Sequence, residues 1–393
     1  MSINKEKGKT VGLITVMRAN YGSALQTFAL YTIINQLGYK CTIIDHNYPT
    51  SYHLKNAIGN EYNPSQNILN PKVFVRKSKS LIKHLIRFYL KRNFPQDKSK
   101  ELLEDFLHEC TLTPTCYNKD SILLTPPHFD IYVTGSDQVW NPRYCHKDYS
   151  FLLNFTLDNQ KRIAYAASFG SKELLSEFKN DYSKLLSRYD FISTRERSGI
   201  RIIKELTQKD AEYCLDPTML LTQEMWHKYS NHDTNLKNEK YILCYIQNYA
   251  FTPYPYVDKL IKRVKKLTGY KVKIITQDIY DIVKGYEVQY NVGPKDFLDL
   301  YENASFVIAC SFHAIVFSLI MKKSFIAIMN NKTTNDDRQT NIIKEFNLEQ
   351  YAYKVNSPLP KDLKELFIDY TTIDKKLEEL RKSSLNYLKA ALS

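Results

Sequence analysis

His313 stands just beyond the apolar run 306–310 (FVIAC), at the opening of a helix expected from about Ala314. A helix N-terminus presents free N–H groups and positive potential, so it binds phosphate or carboxylate and favours a neutral imidazole nearby. A histidine in that place is suited to passing protons near neutral pH. Arg195 lies in the same way just past the apolar run 191–194, followed by Glu196, Arg197 and Ser198 at a helix start. A guanidinium at a strand's carboxyl edge is placed to clamp a phosphate or carboxylate bidentately, whereas Arg197, in a first helical turn, is expected to face solvent. The loop Gly135-Ser136-Asp137-Gln138-Val139-Trp140-Asn141-Pro142 brings a carboxylate, two amides, a hydroxyl and one of only two tryptophans together. Sugars are gripped by such mixtures: Ser136, Asp137, Gln138 and Asn141 would pair with hydroxyls while Trp140 stacks on a pyranose. Each group has a structural alternative: a capping or packed His313, an Arg195–Glu196 ion pair, a Trp140 turned into the core.

The elements that must position these residues are legible as periodicity. Residues 11–16 (VGLITV) read as a strand, Met17 to Gly22 break it, and Leu25, Ala29, Ile33 and Leu37 recur at helical spacing. Ser23 and Gln26 suggest a capping box, Gly38 a stop, and 41–45 a second strand. This β-loop-α-β unit predicts a parallel sheet with its ligand edge beside Asn20, Tyr21 and Gly22, which are therefore candidate acceptor contacts. Strands are expected again at 129–134, 162–167 and 191–194, each running into a candidate site loop. The stretch 214–221 (CLDPTMLL) and the polar run 231–240 mark a domain boundary, giving an N-terminal α/β domain over 1–222 and a C-terminal one over 223–393. The second has strands at 241–246, 271–276, 306–310 and 324–328, helices near 256–268 and after Pro294, and a closing helix at 372–390. Two Rossmann-like domains with a late crossing helix predict a GT-B-like arrangement with the site in the cleft, the first domain holding the acceptor and the second the donor. Neither G-x-G-x-x-G after a strand nor G-x-x-x-x-G-K-[ST] occurs, which removes dinucleotide fingerprints and a P-loop.

Composition narrows the partners. A chain of 393 residues with 43% hydrophobic and 25% charged residues can bury real cores, and its net charge of +13 favours anionic partners. The 30 tyrosines suit sugar faces as well as cores. Seven scattered cysteines without C-x-x-C indicate neither a disulfide scaffold nor a zinc cluster, so no metal is expected. With no signal peptide and no long apolar run, the expected location is the cytoplasm. Lys72, Arg76, Lys79, Lys83, Arg87 and Lys91 form one stripe of a basic amphipathic helix at 72–92, suited either to anionic lipid or to packing on its own domain. Nucleic acid is not expected, because the basic excess concentrates in that helix without interleaved stacking aromatics on its polar side.

NYGSALQTFAL (20–30), DIYVTGSDQVWNP (130–142), AYAASFG (164–170), STRERSG (193–199), CLDPTMLL (214–221) and GPKDFLDLYENASFVIACSFHAIVFSLI (293–320) resemble, in order and spacing, the successive blocks of the polysaccharide pyruvyl transferase family. The resemblance implies transfer of a pyruvyl group from phosphoenolpyruvate, a co-substrate and not a resident cofactor, to a sugar of a cell-surface glycan precursor as a ketal. That acceptor includes one still carried on a polyprenyl diphosphate. It also implies that Arg195, with Ser198 in its motif place, and the block Ser311-Phe312-His313 hold the donor, His313 serving as acid/base. The family's arginine place is Ser311 here, so Arg338 or Lys322 is expected to supply the missing charge. Asp137 is the candidate for orienting the acceptor hydroxyl. Two other readings stay open: a nucleotide-sugar glycosyltransferase of GT-B fold, and a non-catalytic glycan- or anion-binding protein.

Overall fold

The computed structural model describes residues 8–47, 98–145, 147–247, 251–276, 286–330 and 337–393. The basic segment at 72–92 lies outside the described residues. Parallel strands are covered on both faces, so they read as unbroken apolar runs; IYVT at 131–134 and YILCYI at 241–246 are buried at every position. One sheet takes β1 (Thr10–Ile14), β2 (Lys40–Ile43), β3 (Ile131–Thr134), β4 (Lys161–Ala167), β5 (Phe191–Thr194) and β6 (Glu212–Tyr213), in the order β2-β1-β3-β4-β5-β6. The other takes β7 (Tyr241–Ile246), β8 (Lys271–Thr276), β9 (Glu287–Val288), β10 (Phe306–Ala309), β11 (Phe325–Met329) and β12 (Ala352–Lys354), in the order β12-β11-β10-β7-β8-β9. The longer helices are α1 (Tyr21–Gln36), α2 (Ser99–Leu107), α3 (Ser176–Leu186), α4 (Arg197–Thr207), α5 (Tyr256–Thr268), α6 (Pro294–Asn303), α7 (Phe312–Ile320), α8 (Arg338–Glu345) and α9 (Thr371–Leu392).

Chain order reverses at β1, flanked by β2 and β3, and at β7, flanked by β8 and β10. At such points the loops leaving neighbouring strands splay apart and open a crevice beyond the carboxyl ends. The two-sheet α/β class expected from the sequence is the one observed.

Local details differ from expectation. Asn20, three residues ahead of the expected cap Ser23, is the N-cap of α1: its Oδ1 accepts from the Ser23 N–H at 3.1 Å, and Ser23 Oγ accepts from the Asn20 N–H at 2.9 Å. Gln26 is not in the box. It is fully buried, and its Nε2 donates to Thr15 Oγ1 and the Val16 carbonyl at 3.0 and 2.9 Å, which also explains why β1 stops at Ile14.

The 214–221 stretch is buried throughout, inside a core that includes Leu25, Phe28, Trp226, Phe297 and Phe317 from both halves of the chain. Its apolar side chains seal the joint; the exposed connection is the polar run after it. Helix α9 then crosses back. Lys322 Nζ pairs with Asp374 near its start, while Tyr387 Oη donates to the Ala164 carbonyl at 2.9 Å and Ser384 Oγ accepts from the Leu215 N–H at 3.0 Å near its end.

Candidate active site

Loops from the carboxyl ends of both sheets meet at Arg195, the residue after β5, whose side chain is 1% exposed. Burial of a guanidinium requires compensation, and three carboxylates provide it. Nη1 donates to Asp216 Oδ2 at 2.7 Å, Nη2 to Asp137 Oδ1 at 3.0 Å and Nε to Glu196 Oε1 at 3.1 Å. The guanidinium face lies 4.5 Å from the centroid of Phe312, which α7 brings from the second sheet.

Asp216 joins this cluster to His313. Its Oδ1 accepts from the Thr218 N–H and hydroxyl at 3.1 and 2.8 Å, and its Oδ2 accepts from the Ser136 hydroxyl at 3.0 Å. The same Oδ2 lies 3.6 Å from His313 Nε2. Burial would raise this carboxyl, but His313, Arg195 and Thr218 outweigh it and hold Asp216 well below the usual carboxylate range. Burial likewise works against the charge on Arg195, and the three carboxylates overcome it, raising that pKa. Glu196 goes the other way: burial pushes it up to about 7 despite Arg195 and the Ser168 hydroxyl, which donates to Oε1 at 2.8 Å.

His313 is the second residue of α7, which starts two residues earlier than expected because Ser311 is its N-cap, Oγ accepting from the Ala314 N–H at 3.3 Å. The imidazole rests against Gly22, where a Cβ would come within 2.2 Å of His313 Cγ and Nδ1. Gly22 is the second residue of α1, so the first turns of α1 and α7 face each other with the ring between them. Only a residue without a side chain permits that approach.

The structure therefore gives several expected contacts a different part. Gly22 is the floor under His313, Asn20 is a cap, and Tyr21 packs across the joint at 5.3 Å from Phe297 and 5.9 Å from Tyr245. Ser136 is fully buried and turned towards Asp216. Asp137, at a φ of 71° that aspartate tolerates, serves Arg195. Gln138 Oε1 accepts from Asn141 Nδ2 at 2.8 Å.

Trp140 is 0% exposed, its indole N–H donating to the Phe151 carbonyl at 3.2 Å and its ring packed 5.3 Å from Phe169, so it has no face to offer a sugar. An indole with one satisfiable polar atom is stabilised more by the core than by a half-open loop. Lys322 sits at the far end of α7 from His313, paired with Asp374 Oδ2 at 2.6 Å, and cannot replace the charge missing at Ser311. Arg338, the buried first residue of α8, stands near enough to Arg195 and Glu196 to act on both charges. Arg197 is 63% exposed and pairs with Glu345 at 2.9 Å. Arg195 comes from the first sheet and His313 from the second, so the two candidate donor residues are drawn from both halves of the chain.

Asp216 and Glu196 were not among the expected site residues. The available signal for Asp216 was an acid inside an otherwise apolar stretch, because a buried carboxylate must have partners.

Among solved structures the chain is similar to a protein assigned as a UDP-N-acetylglucosamine 2-epimerase from Listeria monocytogenes, with a TM-score of 0.50, 9% identity, and 98% of this chain and 91% of that one covered. It is also similar to the UDP-GlcNAc 2-epimerase of Methanocaldococcus jannaschii in complex with UDP-GlcNAc and UDP, at a TM-score of 0.48, 11% identity, and 96% and 93% coverage. Arabidopsis thaliana UGT89C1 complexed with UDP-L-rhamnose follows at 0.46, 9% identity, and 98% and 100% coverage. At 9% identity the likeness to the Listeria protein bears on the fold alone, a two-domain α/β arrangement of the GT-B kind. No curated protein matches the sequence. The family model of polysaccharide pyruvyl transferase matches residues 20–332, a span that holds α1, Arg195, Asp216 and His313. The chain belongs to the polysaccharide pyruvyl transferase family.

Proposed function

We propose that the protein transfers the pyruvyl group of phosphoenolpyruvate to two hydroxyls of a sugar in a surface-glycan precursor. Phosphate leaves and a cyclic ketal remains. The observation that carries this reading is the His313 imidazole held between the first turns of α1 and α7, joined through Asp216 to the buried Arg195, near which the buried Arg338 stands. Two helix N-termini and buried guanidinium groups suit a small, highly charged donor. The imidazole supplies what the enol phosphate needs. The donor methylene carbon gains one proton, the two hydroxyls lose two, and the second of these leaves with the phosphate, so the step balances with a single group shuttling protons.

Each nitrogen of Arg195 donates to a protein carboxylate, which takes three of its five N–H groups, so a donor phosphate competes with those carboxylates for the guanidinium. Glu196, raised to about 7, is the carboxylate that gives up its charge at least cost. The reading invokes no resident cofactor.

The acceptor belongs at the cytoplasmic leaflet if it is lipid-linked, where the basic stripe at 72–92 would meet anionic lipid. Among the described residues no helix is long and apolar enough to cross a membrane. Purified protein incubated with phosphoenolpyruvate and glycan acceptors should release phosphate and add one pyruvyl ketal to the acceptor by mass spectrometry. Turnover of a nucleotide sugar in place of phosphoenolpyruvate would move the assignment to a glycosyltransferase.

A further inference from the structure

His313 Nε2 is buried and has no hydrogen-bond partner among the described residues. The group it faces is Asp216 Oδ2, 3.6 Å away. That carboxylate already receives hydrogen bonds from Arg195, Ser136, and the backbone and hydroxyl of Thr218. An ionised carboxylate only accepts. A bare Nε2 lone pair pointed at it would be repelled, whereas an Nε2–H is attracted and needs to close by only roughly 0.7 Å to make an ordinary hydrogen bond. The other nitrogen, Nδ1, lies over Gly22, on the side where the first turns of α1 and α7 face each other.

We infer that Asp216 is a positioning residue that fixes His313 as the Nε2–H tautomer, leaving Nδ1 as the nitrogen that exchanges protons with the reactants. Its catalytic meaning rests on the proposed function; the tautomer itself does not. The same carboxylate is bound to Arg195, so one group sets the geometry of the cation and of the acid/base together.

The test is nitrogen-15 NMR of protein carrying labelled histidine, at a pH alkaline enough for neutral imidazoles, with the His313 signals assigned by their loss in His313→Gln. In the parent the expected pattern is a proton on Nε2. In Asp216→Asn, of similar shape and without the charge, that preference should be lost and the Nδ1–H form should appear. Asp216→Ser, which removes the carboxylate and leaves a smaller polar side chain, should lose the preference as well and serves if Asp216→Asn does not fold. An Nδ1–H tautomer in the parent overturns the inference, as does an unchanged tautomer in the folded Asp216→Asn protein, or in Asp216→Ser if the first variant is lost. Phosphoenolpyruvate turnover in Asp216→Asn should fall roughly 100- to 10,000-fold in kcat. If the parent shows no such turnover while the tautomer shifts as expected, the proposed reaction fails and the positioning role stands.

Discussion

Arg195 is surrounded so completely that its removal exposes what it was compensating. Arg195→Ala leaves Asp137 and Asp216 buried without their cation, and breaking a buried pair from one side costs about 3–5 kcal/mol. Urea unfolding should show a loss of that size, and apparent affinity for phosphoenolpyruvate should drop roughly 30- to 1,000-fold. Arg195→Lys should rescue neither, because an ammonium cannot serve three carboxylates in one plane; a fully stable lysine variant would show that the network does not hold the site together. Glu196 gives a pH signature. Its carboxyl is raised from 4.5 to about 7 on folding, so the folded state binds an extra proton between those values, and the stability this proton contributes is complete below 4.5 and lost as pH rises through 7. Asp216, held low, acts only at more acidic pH and in the opposite sense. Glu196→Gln should therefore gain on the parent between about pH 5 and pH 8, by up to about 3 kcal/mol in urea midpoints. A constant difference across that range would mean that Glu196 titrates like an exposed acid.

At the scale of elements, the site depends on how closely two helix N-termini approach. Gly22→Ala places a methyl within 2.2 Å of the imidazole, so either the ring or α1 must move. Turnover should be lost with a stability cost of about 1–3 kcal/mol, as for other overpacked sites. Retained activity would show that the two turns are not held against each other in solution. Asn20→Ala tests the cap separately: losing the bond to the Ser23 N–H should cost about 1 kcal/mol in thermal unfolding and weaken donor binding through fraying of the same turn. A change in acceptor KM without a change in stability would instead return Asn20 to the acceptor contacts expected from sequence.

For the molecule as a whole, a shared core and α9 tie the two sheets, while the basic stripe at 72–92 concerns where the enzyme works. Each basic residue near anionic lipid contributes about 1 kcal/mol. Replacing Lys79, Lys83, Arg87 and Lys91 by Gln should release the protein from anionic vesicles and reduce activity on a lipid-linked acceptor while sparing a short soluble one. Equal vesicle binding by parent and variant would return this segment to packing on its own domain.

Strand positions such as 241–246 and 306–309 were legible without any structure, because burial on both faces leaves an unbroken apolar run that neighbouring polar residues delimit. The resemblance of six ordered blocks carried the family, and with it Arg195 and His313 as site residues. Neither route could show that Asp216 stands between those two, that Trp140 turns inward, or that Lys322 lies at the wrong end of α7. Periodicity reports which element forms and which face is buried, since both depend on neighbours within a few residues. Which loops meet depends on the order of strands in each sheet and on how the two sheets dock. That choice is made by packing among segments far apart in the chain, and it leaves no local mark on a buried acid except that it must have partners.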